Sequence, residues 1–289
     1  VIAGANRVDY DWSYDPETGE IHGVTEQAGE GTAPALAVDV AALGGMYANA
    51  ISMVATENGV GVRLNGKLAS AGNIGLRSDG RLTLGAPQGG HVPEIKAKKK
   101  IQIRNRGPVL LEGAITSEDG NLIDIRTSEG ALTFNGEASG GAVVLESAGL
   151  ASIAAAIDAR NSLEIRSLND GVSVAEKAVL SGSNVSVSAA QSAEINGRIS
   201  ATGDLRIAAR GASTGVRSEL VAENISIGVA ESLVLNGKAQ AADTLNLAAG
   251  QKMSMGPQSL LSARSLAIAS DTLALQGELK AVQDIGIDA

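Results

Sequence analysis

The sequence predicts an all-β fold, a right-handed parallel β-helix, and three observations predict it. Twelve pairs of apolar residues, each pair split by one residue, begin at Ile51, Ile74, Ile101, Ile123, Val143, Leu163, Val185, Leu205, Ile225, Leu245, Leu266 and Ile285. From Ile101 onward the steps are 22, 20, 20, 22, 20, 20, 20, 21 and 19 residues, a regularity that belongs to stacked repeats rather than to an ordinary globular core. Two further apolar series keep the same phase. One runs through Leu82, Val109, Leu132, Ile153, Val172, Ala193, Thr214, Leu233, Met253 and Leu273, the other through Leu68, Ile95, Ile115, Ala138, Ile157, Val179, Ile199, Leu220, Ala239, Leu260 and Leu279. Within each segment apolar residues alternate with polar or small ones, as in Leu163-Glu164-Ile165-Arg166, which is the period of a strand with one buried face.

Three short strands in each turn of about 20 residues, every strand pairing with its copy one turn later, make a solenoid of about twelve turns. The spacing of about 8, 6 and 6 residues between anchors suits the irregular cross-section of a right-handed coil, and parallel crossovers are right-handed by a large margin. Asn, Asp or Ser precedes the first strand at Asn73, Ser162, Asn184, Asp204, Asn224, Ser265 and Asp284. Such side chains bond to nearby backbone and tolerate left-handed corners. Asn65-Gly66, Asn135-Gly136, Asn196-Gly197 and Asn236-Gly237 fall between second and third strands and are predicted as corners of the coil, not hairpin turns.

At the start, Val1-Ile2 and Val8 look like strand positions, and the regular pattern resumes near Val38. The stretch 10–34 carries Tyr10, Trp12 and Tyr14 at alternating positions, then the turn signal Asp15-Pro16-Glu17-Thr18-Gly19. It is predicted to be an extra-helical hairpin whose aromatics cover a flank of the core, the alternative being a sugar-binding platform. A second excursion is predicted at 85–94, because all three series take one step of 27 residues there. Immediately after it stand Lys96, Lys98, Lys99, Lys100, Arg104 and Arg106, six basic residues in eleven with no acid among them. This strip is a solvated face or a contact for an anionic partner.

Composition narrows the function. The formal charge of −9 argues against a general nucleic-acid binder. No apolar run approaches the roughly 18 residues of a membrane helix, and aromatics at 2% do not supply the girdles of a membrane barrel. The chain has no cysteine, which fits export through an oxidising envelope. It opens at Val1 without a signal segment and closes in the middle of a turn, so a fragment of something longer is expected.

The stretch Ala37-Val38-Asp39-Val40-Ala41-Ala42-Leu43-Gly44-Gly45-Met46-Tyr47-Ala48-Asn49, with 51–63 after it, resembles the filamentous haemagglutinin family of two-partner secretion exoproteins, which includes the contact-dependent growth inhibition effectors. The opening residues 1–9 are similar to a segment that precedes it in that family. Ala41 and Leu64 depart from the usual serine and asparagine. The resemblance implies residues 1–70 as the end of a secretion-type domain with its hairpin, and 71–289 as haemagglutinin-repeat stalk continuous with it. It also implies an outer-membrane transporter as partner, a host or neighbouring bacterial cell as target, and a secreted, cell-surface location. Asn-Pro pairs, which mark the family's export signal, do not occur here.

Catalysis is the competing class, since many β-helices bind or cleave polysaccharides with clustered carboxylates. Glu118, Asp119, Asp124 and Glu129 are the densest acidic group, and the alternation places them at corners and outward positions. His22 and His91 are far apart in sequence and suggest no metal site. The expectation is therefore a structural stalk for adhesion or toxin presentation, with no enzyme activity, no cofactor, no metal and no nucleic-acid partner.

Overall fold

The computed structural model describes residues 1–3, 6–14, 21–27, 34–40, 44–55, 57–87 and 91–289. It is an all-β parallel solenoid of about twelve turns, the right-handed β-helix that the spacing predicts, with no helix among the described residues. The chain forms two compact units, Val1–Ala148 and Gly149–Ala289.

In the first unit the first-strand anchors stack in the predicted register: Ile51 on Ile74, Ile74 on Ile101, Ile101 on Ile123 and Ile123 on Val143. Every second residue points inward, so Ile74, Ile101, Ile103, Ile123 and Ile125 are buried while Arg104 and Arg126 between them reach solvent. The only phenylalanine, Phe134, stacks on Leu111 and is fully buried. Ahead of these turns an antiparallel pair, Asn6–Tyr14 with Ile21–Glu26, forms its own two-stranded sheet. The hairpin thus begins at Asn6 and takes in Val8, earlier than the aromatic pattern suggests. Its predicted turn at 15–19, and the side chains of Tyr10, Trp12 and Tyr14, lie outside what is described. The second excursion occupies nine positions between strands Leu82–Leu84 and Glu94–Ala97, where the next turn has only Glu112 and Gly113 between Val109–Leu111 and Ala114–Ser117.

In the second unit the first-strand ladder again matches: Leu163 on Val185, then Leu205, Ile225, Leu245, Leu266 and Ile285. Two third-strand positions differ by one residue. Ile157 pairs with Leu180, not Val179, and Ala239 with Leu261, not Leu260. Leu180 and Leu261 are completely buried, and Val179 is 48% exposed. Two second-strand positions differ by two, since Ala151 pairs with Val172 and Ala193 with Ala212, leaving Ile153 and Thr214 one step further along the same face. Strands are also longer than expected. Lys238–Met255 runs 18 residues through two register shifts, at Gln240/Thr244 and Ala249/Lys252.

The corner polar residues behave as predicted in one respect and not in another. Asn73 Oδ1 accepts from the Lys100 amide at 3.0 Å, and in the second unit Asn184, Asp204, Asn224 and Thr244 bond up the coil. Left-handed backbone, however, occurs among the described residues only at Asp119 and at Gly23, Gly59 and Gly120. The Asn-Gly corners are not left-handed, so a different physical requirement places glycine there.

Candidate functional site

The basic strip is built from two strands and the corner between them. Lys96 stands outward on strand Glu94–Ala97, Lys98 to Lys100 form the corner, Arg104 stands outward on Ile101–Asn105, and Arg106 follows it. The corner backbone is clamped from both sides. The Lys98 and Lys99 amides donate to Ser70 and Gly72 carbonyls, while Asn121 Nδ2 and Ser117 Oγ donate to the Lys98 and Lys99 carbonyls.

Lys96, Arg104 and Arg106 have acid partners supplied by neighbouring turns. Lys96 Nζ is 2.8 Å from Glu118, and Arg106 bonds Glu129 at 2.9 Å and Asp79 at 3.3 Å. Arg104 pairs with Asp124. The bond to Glu118 raises the Lys96 pKa and depresses that of Glu118; the bonds to Glu129 and Asp79 raise that of Arg106. Lys98, Lys99 and Arg106 are the exposed residues of the strip, Arg106 with its acid partners in place.

Asp124 is the most enclosed charge of this surface, its side chain 6% exposed beneath Arg104 and Arg126, and Arg126 also reaches Glu146. The register stacks Arg77, Arg104 and Arg126 one above another, so Asp124 offsets a column of like charge. Burial pushes its carboxyl up, but the hydrogen bonds and charges of Arg104 and Arg126 prevail and hold it below the ordinary aspartate value. Its contribution to stability is therefore complete above the unfolded value of about 3.9 and is lost as the pH falls through the lower folded value. Asp124→Asn should cost about 1–3 kcal/mol at neutral pH. In urea titrations the gap from wild type should narrow steadily below about pH 4; a gap that widens in acid would refute the assignment.

The acidic group singled out in the sequence does not converge on a common point. Glu118, Asp124 and Glu129 are each engaged by a cation, and Asp119 sits exposed in a left-handed turn. Among the described residues no three His, Asp or Glu side chains gather as metal ligands would. No helix of the described residues is long and apolar enough to cross a membrane.

The sequence reading missed a polar ladder inside the coil. Ser78, Asn105, Thr127 and Ser147 stack in register at the end of the first strand, all buried. Ser78 Oγ donates to Asn105 Oδ1, and Asn105 Nδ2 donates to the carbonyls of Gly80 at 2.9 Å, Gly107 at 2.7 Å and Pro108 at 3.2 Å. Thr127 Oγ1 donates to Gly107 at 2.6 Å and accepts from the Gly130 amide at 3.1 Å. Ser167 repeats the arrangement in the second unit, bonding the Gly149 carbonyl at 2.8 Å. The signal was the inward phase of these polar residues, two positions after an apolar pair.

No family profile and no solved structure matches the chain, whereas several characterised proteins do. It is 38% identical over 149 residues to the 16S rRNA endonuclease CdiA of Enterobacter cloacae, a match covering 48% of this chain and 4% of that protein. It is 45% identical over 85 residues to the tRNA nuclease CdiA-2 of Burkholderia pseudomallei, 29% of this chain and 2% of the relative. To the toxin CdiA of Yersinia pestis it is 58% identical over 50 residues, 17% of this chain and 2% of the relative. The chain is thus homologous to the CdiA toxins, exoproteins of contact-dependent growth inhibition, as residues 37–63 suggest. One expectation is corrected by these names. The residue survey expected no enzyme because it weighed only constellations within these 289 residues, yet the relatives are named for cutting ribosomal and transfer RNA.

Proposed function

We propose that this chain is a structural segment of an exported contact-dependent inhibition exoprotein, a length of β-helix that carries a nuclease toxin toward a neighbouring cell. The observation that carries the reading is the homology to CdiA toxins through stretches that make up only 2–4% of those proteins. A coil that pairs outward charges between its own turns, as at Lys96–Glu118, Arg106–Glu129 and Arg210–Glu231, suits a spacer, since length and stiffness need no reactive surface. Within the segment, residues 1–70 close a secretion-type domain and 71–289 begin the repeat stalk. The whole protein would depend on an outer-membrane transporter, sit at the cell surface, and act on RNA of the cell it touches.

The test uses the full-length protein. Deleting 197–236 joins Asn196 to Gly237 and removes two turns in register. A spacer should keep export and contact-dependent killing of target cells in competition assays. Loss of target binding, with export and folding unchanged, would mean that this stretch is a recognition module and would overturn the reading.

The anionic contact narrows to Lys98 and Lys99. Binding of this segment to heparin beads should be measurable at about 10 mM ionic strength, where charges are felt over about 30 Å, and should vanish by physiological salt. Lys98→Gln with Lys99→Gln should abolish it at an unchanged melting temperature. Absence of binding by wild type at low salt would leave the corner as a solvated face.

A further inference from the structure

The links between second and third strands hold two, four or nine residues, and each of the longer ones is followed one turn later by a two-residue link. Long links are 85–93 in the first unit and 175–178, 215–218 and 256–259 in the second; the link one turn later is always two residues, 112–113, 196–197, 236–237 and 276–277. Each long link starts and ends in the same backbone clamps. The first residue donates to the carbonyl that closes the second strand of the turn before: Gly85 to Leu64, Ala175 to Ile153, Gly215 to Ile195 and Gly256 to Leu235, all at 2.8–2.9 Å. The last residue's carbonyl accepts from the third strand of the turn after: Pro93 from Ala114, Ala178 from Arg198, Ser218 from Lys238 and Ser259 from Glu278, all at 2.9–3.0 Å.

The same geometry explains the Asn-Gly corners. Gly113, Gly197, Gly237 and Gly277 lie so close to the carbonyls of Pro93, Ala178, Ser218 and Ser259 that a Cβ at any of them would overlap that oxygen. Gly85, Gly215 and Gly256 lie over Asn65, Asn196 and Asn236, whose side chains would overlap a Cβ there; where Ala154 replaces asparagine, Ala175 replaces glycine. Close approach, not backbone handedness, selects glycine. The middle of each four-residue link, Glu176-Lys177, Val216-Arg217 and Pro257-Gln258, is exposed, and Arg217 reaches Glu176 across the intervening short corner at 2.7 Å.

The clamps are the same whether the link holds four residues or nine. We infer that the long corner, followed one turn later by a short glycine corner, is the coil's insertion port: a place where chain can be added and displayed without altering the turns. The excursion at 85–93 is an occupied port, and 175–178, 215–218 and 256–259 are ports closed by a β-turn, as the Ala178, Ser218 and Ser259 amides bonded back to Ala175, Gly215 and Gly256 show. Ports two turns apart leave about 9.6 Å between their tips, against about 4.8 Å for adjacent turns.

The experiment exchanges the ports. Replacing Val216-Arg217 by the seven residues of Ala86–Val92, and the reciprocal exchange, should each shift the melting midpoint by no more than about 3 °C, because lengthening a closed loop costs little. The same seven residues inserted between Asn236 and Gly237 should cause at least twice that shift. Equal shifts for port and short corner would overturn the inference. If insertion at either place prevents folding, single substitutions decide instead. Gly237→Ala should lower the midpoint well below that of Gly228→Ala, whose Cβ would meet open space; indistinguishable midpoints would overturn the clamp on which the port depends.

Discussion

Ile165→Asp should unfold the second unit under conditions where Glu164→Ala leaves it unchanged. Ile165 is fully buried and stacks on Val187 one turn away, so its carboxylate would have no water and no cation within the coil. Losing the isoleucine costs about 2–5 kcal/mol, and an unpaired polar group in a dry core adds about 1–3 more. Glu164, one residue earlier, faces outward beside Arg166, and both side chains are more than one third exposed. An exposed pair of this kind is worth less than about 1 kcal/mol. Urea denaturation of the two variants side by side measures the difference. Equal midpoints would mean the strand is turned over by one residue, which exchanges its buried and solvent faces.

Asn105→Ala is the second large effect. The side chain fits a buried rung between Ser78 and Thr127 and bonds three corner carbonyls. Alanine would leave those carbonyls and the Ser78 hydroxyl without their partner inside the coil. Each unmet buried group costs about 1–3 kcal/mol, and partial relaxation makes a total loss of about 2–4 kcal/mol reasonable. Asn105→Thr separates the hydrogen-bonding role from volume alone, because threonine already serves as the next rung at Thr127. It should recover at least half of the loss. A threonine variant as unstable as the alanine variant would show that shape, not carbonyl satisfaction, holds the rung.

The fold was legible because a coil repeats its burial demand. Ile74, Ile101 and Ile123 lie 27 and 22 residues apart in the chain, but each must fill the same slot, and the apolar pairs expose that slot directly. Legibility failed where two neighbours could both fill it. Val179-Leu180 and Leu260-Leu261 offer adjacent apolar residues, and only the stacking on Ile157 and Ala239 decides between them. At Ala151 and Ala212 the slot holds a small residue, while the larger Ile153 and the polar Thr214 lie two positions on along the same face. The candidate site was legible in composition only. Arg106 meets Asp79, 27 positions earlier, and Glu129, 23 later, so whether six cations form an open patch depends on cross-turn registers that no local window contains. The nuclease identity of the relatives was not legible at all, since nothing in the stacking of these turns requires it.

The ladder has a further consequence for how such a chain can be delivered. In the second unit every register pairs residues only 18 to 23 positions apart, from Leu261 with Leu279 to Ile157 with Leu180. No ladder pairing waits for a distant part of the chain, so the entropy of closing each new loop is small and nearly constant along the sequence. A polypeptide threaded end-first through a narrow pore can therefore lay down one turn on the last as soon as about twenty residues have emerged. Each completed turn resists sliding back. Crystallisation of the coil on the far side, one layer at a time, is in that sense a ratchet that rectifies the random motion of the strand still in transit.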